Sequence, residues 1–441
     1  MGAPRERPWG EAALWLLLLG PLFFALYGLS GWVTSRGGSA ASLAFGWEAA
    51  IPFVPASVVP YMSIDLFFAG SFFLCRNRRD LRAHAARIAL AIGVATACFV
   101  LFPARMGFER PPVEGLFGPL FGLLETFDTP YNQAPSLHVA LLAVLWPVYA
   151  GATRKALRLV VHLWIVLIAA SVLLTWQHHT LDVATGALLG GALFCLVPDA
   201  PLRRARPPVA DRRRALPYRV AGLLLVLLAA LTGPVGLLLL WPAVALGLVA
   251  AAYGRVGPAL FGKRAGRLGL AARWVLLPYR LAAWLSVRLF GTRHPAWSEV
   301  APGLLVGRAL SNGEARRAIG AGVVAVVDLA AEFDEAPAFR GLPYLGLPVL
   351  DLAAPSPKQI RRAVRFIEAQ RMNGPVYVHC ALGYGRSACV AAAWLVESGE
   401  SAGPADAMRR IRAARPPVRL GRSQSAALRR WRRPAPRAVT T

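Results

Sequence analysis

Apolar runs recur through the first 253 residues, at about 12–33, 58–75, 88–103, 137–152, 159–175, 181–198, 218–232 and 235–253. Most approach the ~20 residues a helix needs to cross a bilayer. The pattern predicts a multi-span α-helical membrane domain, a six-helix core plus about two further spans. The last pair, joined at Gly233-Pro234, also suits a re-entrant hairpin. The first run follows a short basic start; its length and the lack of a small-residue cleavage site favour a retained helix over a cleaved signal peptide. From about Pro302 the apolar pattern shortens. Leu304 to Val306, Val323 to Leu329, Leu345 to Leu350 and Val376 to Cys380 read as strands separated by helices. One helix is expected to start at Ser356-Pro357, an N-cap followed by proline at the first helical position, burying Ile360, Val364 and Ile367. This alternation predicts a soluble α/β domain.

Composition strengthens the membrane reading. The 441 residues are 56% hydrophobic and only 16% charged, with mean hydropathy +0.48 and net charge +26. Placement of the basic residues decides what that charge is for. Arg76, Arg78, Arg79, Arg82 and Arg87 follow the second run. Arg154, Lys155 and Arg158 follow the fourth. Arg203, Arg204, Arg206, Arg212, Arg213, Arg214 and Arg219 follow the sixth. The alternate loops hold only Arg36, Arg105 and Arg110, so fifteen basic residues face three. By the positive-inside rule the N-terminus is cytoplasmic, and an even number of spans returns the C-terminal domain to the cytoplasm. From Tyr253 to Ser298 there is no acidic residue, yet eight Arg or Lys occur, with Trp274, Leu277, Leu281, Trp284 and Leu285 at helical spacing around Pro278. This segment is expected to lie as a kinked amphipathic helix on the anionic inner leaflet. The basic residues track topology, so nucleic acid is not an expected partner. The five cysteines form no disulfide framework, and His178-His179 alone is too little for a metal site; neither metal nor cofactor is expected.

The densest chemistry is His379-Cys380-Ala381-Leu382-Gly383-Tyr384-Gly385-Arg386-Ser387. A glycine-containing loop between a strand and a helix turns successive N–H groups inward as an anion nest, aided by the helix N-terminus. That field and Arg386 depress the Cys380 thiol pKa, and Arg386 can hold two phosphate oxygens. Ser387 is placed to hydrogen-bond the departing thiolate, and His379 to fix the loop. The constellation suits attack on a phosphate monoester. Asp351 is the preferred general acid for the leaving oxygen, ahead of Asp328, Glu332 and Asp334. Cys389 reads as core.

A second constellation lies in the apolar half. Ser136-Leu137-His138 opens the fourth run and His178 to Asp182 opens the sixth, on the same expected face of the membrane. His178 and Asp182, four apart, stack on one side of a helix. A carboxylate against one imidazole nitrogen fixes the tautomer and makes the other a better nucleophile. His138 is then a candidate to protonate a leaving oxygen, and Arg105 and Arg110 to bind phosphate.

These residues resemble the type-2 phosphatidic acid phosphatase superfamily, closest to its inositol phosphorylceramide and sphingomyelin synthase branch, over about residues 50–200. The resemblance implies His178 as nucleophile, Asp182 as its partner and His138 as general acid. Arg110-Pro111 fits the family's first motif, but Pro103 stands where it has Lys; Ser171 fits the third, but Val172 stands where it has Arg. Water and a lipid alcohol both remain possible acceptors. The cysteine motif, with Ala301 to Gly307 and the Ala405 to Arg415 stretch, resembles the dual-specificity protein phosphatases over about residues 298–432. It implies a soluble α/β cysteine-phosphatase domain, a phosphocysteine at Cys380 and Asp351 as acid then base. Uncharged Ala381, Leu382 and Tyr384 argue against a polyphosphorylated inositol substrate.

The expected organisation is an N-terminal span and outer loop (1–57), a lipid-phosphatase-like membrane domain (58–200), a basic loop with two further apolar segments (201–253), a basic juxtamembrane segment (254–297) and the cysteine-phosphatase domain (298–441). The expected function is a bifunctional phosphatase of the cell membrane, acting on phosphorylated lipid, phosphoprotein or both. The alternatives are a headgroup phosphotransferase with an attached phosphatase, and a signalling phosphatase whose membrane half only anchors it.

Overall fold

The computed structural model describes residues 7–36, 41–128, 130–198, 211–232, 234–291 and 293–431. Arg203, Arg204 and Arg206, part of the sequence's charge asymmetry, lie outside them, as does Gly233. The chain forms two compact units, one of residues 1–203 and 219–248, the other of residues 204–218 and 249–441.

In the first unit the apolar runs are helical. They form α1 (Trp9–Ser35), α2 (Val58–Leu74), α3 (Arg78–Leu101), a short α4 (Gly118–Phe127), α5 (Leu137–Ala152), α6 (Lys155–Leu174) and α7 (Thr180–Leu196), followed by most of α8 (Arg212–Leu231) and α9 (Leu240–Ala251), whose residues 212–218 and 249–251 belong to the second unit. Among the described residues, six helical stretches are long and apolar enough to cross a membrane; α5 and α7 are apolar but shorter. Starts are set by side-chain caps. Asn77 Oδ1 accepts from Arg79 N and Asp80 N, each at 3.0 Å, and Ser136 Oγ accepts from Val139 N. Phe72, Leu81, Ile88, Ile92, Phe99 and Leu145 fill the core between helices. Leu17, Leu66, Leu163 and Leu227 point outward, exposed, as they would toward lipid rather than water.

The bundle has two chemically distinct ends. At one, Glu11 opening α1 meets Arg82 at 2.7 Å and Arg78 at 3.7 Å, while Arg76 donates to Gly151 O at 2.8 Å. At the other, Ser136 N donates to Asp182 O at 2.9 Å, tying the start of α5 to the start of α7. The parallel pair β1 (Ala41–Ser42) and β2 (Ala104–Arg105) lies in the loops of this second end.

The second unit carries a five-stranded sheet of order β3-β4-β7-β5-β6. Its strands are β3 (Trp297–Ala301), β4 (Leu304–Gly307), β5 (Ala325–Ala330), β6 (Tyr344–Val349) and β7 (Val376–His379). The β3–β4 pair is antiparallel; β4, β7, β5 and β6 run parallel. Four strands match the sequence reading. The edge strand β3 was not expected, since five mixed residues carry little alternation. Parallel neighbours require helical crossovers. These are α12 (Asn312–Gly320) and α13 (Pro357–Arg371), the latter capped by Ser356 and started on Pro357 as expected. Ile360, Val364 and Ile367 are buried. The helix after β7, α14 (Arg386–Glu397), is almost wholly buried among sheet, α13, α15 (Pro404–Ala414) and α16 (Arg422–Arg429).

The juxtamembrane segment forms two helices, α10 (Leu270–Val275) and α11 (Leu277–Gly291), not one kinked at Pro278. The break falls at Leu276, so Pro278 sits in the first turn of α11, where its missing N–H costs nothing. Trp274, Leu281, Trp284 and Leu285 are exposed. Lys263, Arg273 and Arg280 do not face outward freely, as the amphipathic reading expected. They pair with Asp328 and Asp334 of the phosphatase-like unit.

Candidate active sites

Strand β7 delivers Cys380, and α14 begins six residues later. Between them Gly383 takes φ +75°, and a Cβ there would stand 2.5 Å from the Gly307 carbonyl and 3.0 Å from Arg308 N, so only glycine closes the loop. The loop wraps the sulfur: Gly383 N donates to Cys380 Sγ at 3.3 Å, and Ser387 Oγ lies 3.4 Å from it. Burial alone would push the thiol pKa up. The Arg386 charge, the Ser387 hydroxyl and the Ser387 and Gly383 N–H groups outweigh burial and hold it below the usual value. The loop's outer side is fastened too. Ala381 O accepts from Ala309 N, Leu382 O and Gly383 O accept from Arg415 at 3.2 and 3.1 Å, and Tyr384 Oη donates to Phe290 O at 3.1 Å. Gly385 packs against the Gln424 amide. Sequence reasoning missed Arg415, whose partners are distant in the chain.

Arg386 is buried and held at its far side. Glu332 takes Nη2 at 2.6 Å and Nη1 at 2.9 Å, and Nη1 also donates to Val349 O at 2.7 Å. Nε is buried without a protein partner. Asp351 Oδ1 is 3.1 Å from Nη2. Of the acid candidates, the Asp351 side chain is 48% exposed while that of Glu332 is 3%, so of these two only Asp351 is open to solvent. Asp334 pairs with Arg273 and Arg280, and Asp328 is enclosed by Lys263 and Tyr344. The sequence reading ran this strand to Leu350, directly before Asp351. The strand instead stops at Val349, whose carbonyl serves Arg386, and the chain turns, with Leu352 at φ +57°.

His379 Nε2 meets Glu335 at 2.7 Å and lies 3.8 Å from Asp328. Burial would lower its pKa, but the two carboxylates outweigh that and raise it to about 9. Asp328, Glu335 and His379 offer ligand atoms within 4.8 Å of one another; the Lys263 ammonium already supplies a cation to Asp328.

In the helical unit, His138 and His178 line one cavity of about 310 Å³, with Tyr27, Tyr61, Asp65, Asp128 and Asn132 at its polar side and Phe23, Phe24, Met62, Phe68 and Leu141 at its apolar side. Asp182 Oδ2 is 3.6 Å from His178 Nδ1 and accepts from His179 N at 2.8 Å. His138 stacks on Tyr61, ring centroids 4.3 Å apart, and its Nε2 has no protein partner. Asp128, which sequence reasoning missed, accepts from Tyr27 Oη at 2.5 Å. With the Gln177 amide oriented to satisfy both its atoms, it bridges Asp128 (2.7 Å) and Arg110 (2.5 Å). Arg110 thus comes beside the cavity, whereas Arg105 stands exposed on β2, outside its lining. Ser136 caps α5. His179 is a scaffold residue: Nδ1 meets Glu48 at 2.7 Å and Nε2 accepts from Gly107 N at 3.0 Å.

A five-stranded sheet delivering a cysteine into such a cradle, in a chain that also carries a helical bundle with paired histidines, has the makings of a phosphatase that hydrolyses phosphate esters. Comparison with known families agrees. Residues 67–206 match the PAP2 superfamily, and residues 314–400 match a family described as polymorphic toxin system, DSP-PTPase phosphatase. The chain therefore joins a PAP2 superfamily domain to a dual-specificity-type phosphatase domain. Similar solved structures include PTPMT1 in complex with PI(5)P, 22% identical, TM-score 0.29, covering 31% of this chain and 94% of that one. Tk-PTP in the active form is 28% identical, TM-score 0.28, covering 30% and 94%. Human DUSP28 is 26% identical, TM-score 0.28, covering 31% and 93%.

Proposed function

We propose that this is a multi-pass membrane enzyme with two separate phosphate sites: a cysteine site in residues 298–441, which hydrolyses phosphomonoesters of lipid or protein, and a histidine site in residues 58–200, which acts on a lipid. The observation that carries the reading is Cys380 Sγ, buried under the Gly383 N–H and the Ser387 hydroxyl with a buried guanidinium beside it. In the first step the thiolate attacks phosphorus, the P–O ester bond breaks, and Asp351 protonates the departing oxygen. In the second, water attacks the phosphocysteine while Asp351 takes its proton, phosphate leaves, and Ser387 stabilises the returning thiolate. The inward N–H groups of residues 381–387 bind the phosphate oxygens with Arg386.

For the histidine site, His178 attacks phosphorus as the P–O ester bond breaks and His138 protonates the leaving oxygen; Asp182 steadies the ring, and an acceptor oxygen of water or a lipid alcohol then attacks the phosphohistidine, giving its proton to His138 and freeing His178. The apolar flank of the cavity supports a lipid substrate. The orientation expected from the charge asymmetry puts the cysteine site and the N-terminus in the cytoplasm of the cell membrane and the histidines outside; the basic end carrying Arg76, Arg78 and Arg82, opposite the histidines, supports it. A second reading of the histidine site has one observation in its favour. Its lining holds Asp65 and Asp128 and, among the described residues, neither Lys nor Arg. Two carboxylates repel a phosphomonoester dianion more than a singly charged phosphodiester, which favours transfer of a phosphate-linked headgroup to a lipid alcohol.

The deciding experiment is turnover of a phospholipid and phosphopeptide panel by wild type, Cys380→Ser and His178→Ala, with labelled donor lipid and with or without acceptor alcohol. Two substrate classes, each lost with a different variant, support two sites. Loss of every activity with one variant overturns them, and release of free phosphate as the sole product counts against transfer.

A further inference from the structure

The loop after β5 holds both flanks of the phosphate loop. Its Glu332 grips Arg386, and its Glu335 binds His379, the residue before the cysteine. That loop is itself braced from outside residues 314–400 by the juxtamembrane segment. Lys263 holds the end of β5 that leads into it, donating to Asp328 and, at 2.7 Å, to Ala330 O. Gly266 O accepts from Glu335 N at 2.7 Å, and a Cβ on Gly266, at φ +75°, would stand 2.8 Å from Glu335 Cβ, so the close approach needs glycine. Asp334 Oδ1 accepts from Leu268 N at 2.8 Å and Arg273 at 2.7 Å, Oδ2 from Arg280 at 3.2 Å, and Arg280 Nε reaches Glu332 O at 3.4 Å.

We infer that Lys263, Arg273 and Arg280 of the juxtamembrane segment are positioning residues for the cysteine site, fixing Glu332 and through it the phosphate-binding face of Arg386. The physical basis is the geometry of one planar group. Glu332 orients the guanidinium by two bonds, leaving buried Nε without a protein partner. A guanidinium recognises phosphate only in a narrow range of orientations, and its side chain does not hold one unaided. The Glu332 backbone lies in a loop rather than a strand, and Arg280 and Asp334 fix it within two residues of the carboxylate. The cationic side chains that the sequence offers to a lipid surface thus serve the active site from behind. Detaching α10 and α11 from the loop would loosen phosphate binding without removing any group that touches phosphate.

The inference rests on the cysteine-phosphatase reading, and the test separates the two. The full chain carrying R273Q and R280Q together is compared with wild type for turnover of an aryl phosphate, for inhibition by vanadate, and for alkylation of Cys380, followed by mass spectrometry of its peptide. Iodoacetate is an anion and senses the guanidinium; neutral iodoacetamide senses only the thiolate. The expected result is KM and the vanadate inhibition constant both raised about tenfold, with kcat changed far less, and a lowered iodoacetate-to-iodoacetamide rate ratio. Arg280→Lys, which keeps the charge but not the fork, falls between, and carries the test alone should the double variant not fold. Unchanged KM, vanadate constant and rate ratio in folded variant overturn the inference. So does a lowered thermal midpoint with wild-type constants in the remaining folded enzyme. Wild-type turnover insensitive to alkylation of Cys380 overturns the underlying reading instead.

Discussion

Glu332 holds Arg386 with both carboxylate oxygens, at 2.6 and 2.9 Å, and both side chains are buried. The pair fixes the plane of the group proposed to bind phosphate. Its stability role follows from burial. Removing one partner strands the other charge in a low-dielectric interior, which costs about 3–5 kcal/mol. Glu332→Ala is therefore expected to lower the thermal midpoint of the phosphatase unit markedly. Glu332→Gln, which keeps one acceptor, falls between. A midpoint within a degree of wild type for Glu332→Ala would show that the pair is not buried in solution.

The Cys380 thiol is held below its usual value despite burial, first by Arg386 and then by Ser387 and two N–H groups. Its thiolate contributes stability above the unfolded thiol's pKa, and that contribution is lost as pH falls through the folded value. Alkylation of Cys380 by iodoacetamide should show an inflection below the ordinary thiol range. Ser387→Ala should move the inflection upward, because one donor to the sulfur is gone. An inflection unmoved by that change would remove Ser387 from the account.

His379 titrates in the opposite sense. Burial disfavours its charge, Glu335 and Asp328 favour it more, and the balance raises it from 6.5 to about 9. A raised imidazole pKa gives stability that is complete below the unfolded value and lost as pH rises through the folded one. Proton NMR of the imidazole C–H should therefore show a transition near the upper value, displaced downward in Glu335→Gln. Titration at an ordinary value would mean that the Glu335 contact at 2.7 Å does not persist.

What the sequence disclosed depends on the range over which each feature acts. The long apolar helices were legible because each is one continuous apolar run, and the Cys380 loop because nine adjacent residues carry it. The Ser356-Pro357 start is equally local. Glu332, Glu335, Arg415 and Glu48 acquire meaning only from partners tens of residues away: Arg386 is 54 positions beyond Glu332, and His179 is 131 beyond Glu48. No periodicity reports such pairings. The acidic run Glu332-Phe333-Asp334-Glu335 was nonetheless a usable signal in so basic a chain. Lys263, Arg273 and Arg280 were misjudged for a related reason. A charge on an amphipathic segment looks the same in sequence whether it meets lipid or a carboxylate.

Gly383 offers a test confined to the backbone. At φ +75° an alanine costs about 1–2 kcal/mol in the left-handed region, and its Cβ would meet the Gly307 carbonyl at 2.5 Å. Gly383→Ala should thus displace the N–H that donates to Cys380 and raise the thiol's alkylation pKa. Turnover should fall more than the thermal midpoint would suggest. Wild-type thiol reactivity in a folded variant would argue that the loop tolerates a different path.

The role of Asp351 is separable from mere proximity by varying the leaving group. It is half-exposed, 3.1 Å from Arg386, so its carboxyl can meet the ester oxygen on the side away from sulfur. General acids contribute about 10²–10⁴-fold where the leaving oxygen needs a proton, and far less where the departing phenolate is already stable. Asp351→Asn should therefore slow alkyl and unactivated aryl phosphates by up to that range while leaving p-nitrophenyl phosphate much less affected. Uniform slowing across leaving groups would instead make Asp351 an orienter of Arg386, to which it is already paired. Glu332 could not take over as acid, because both its oxygens are committed to the guanidinium.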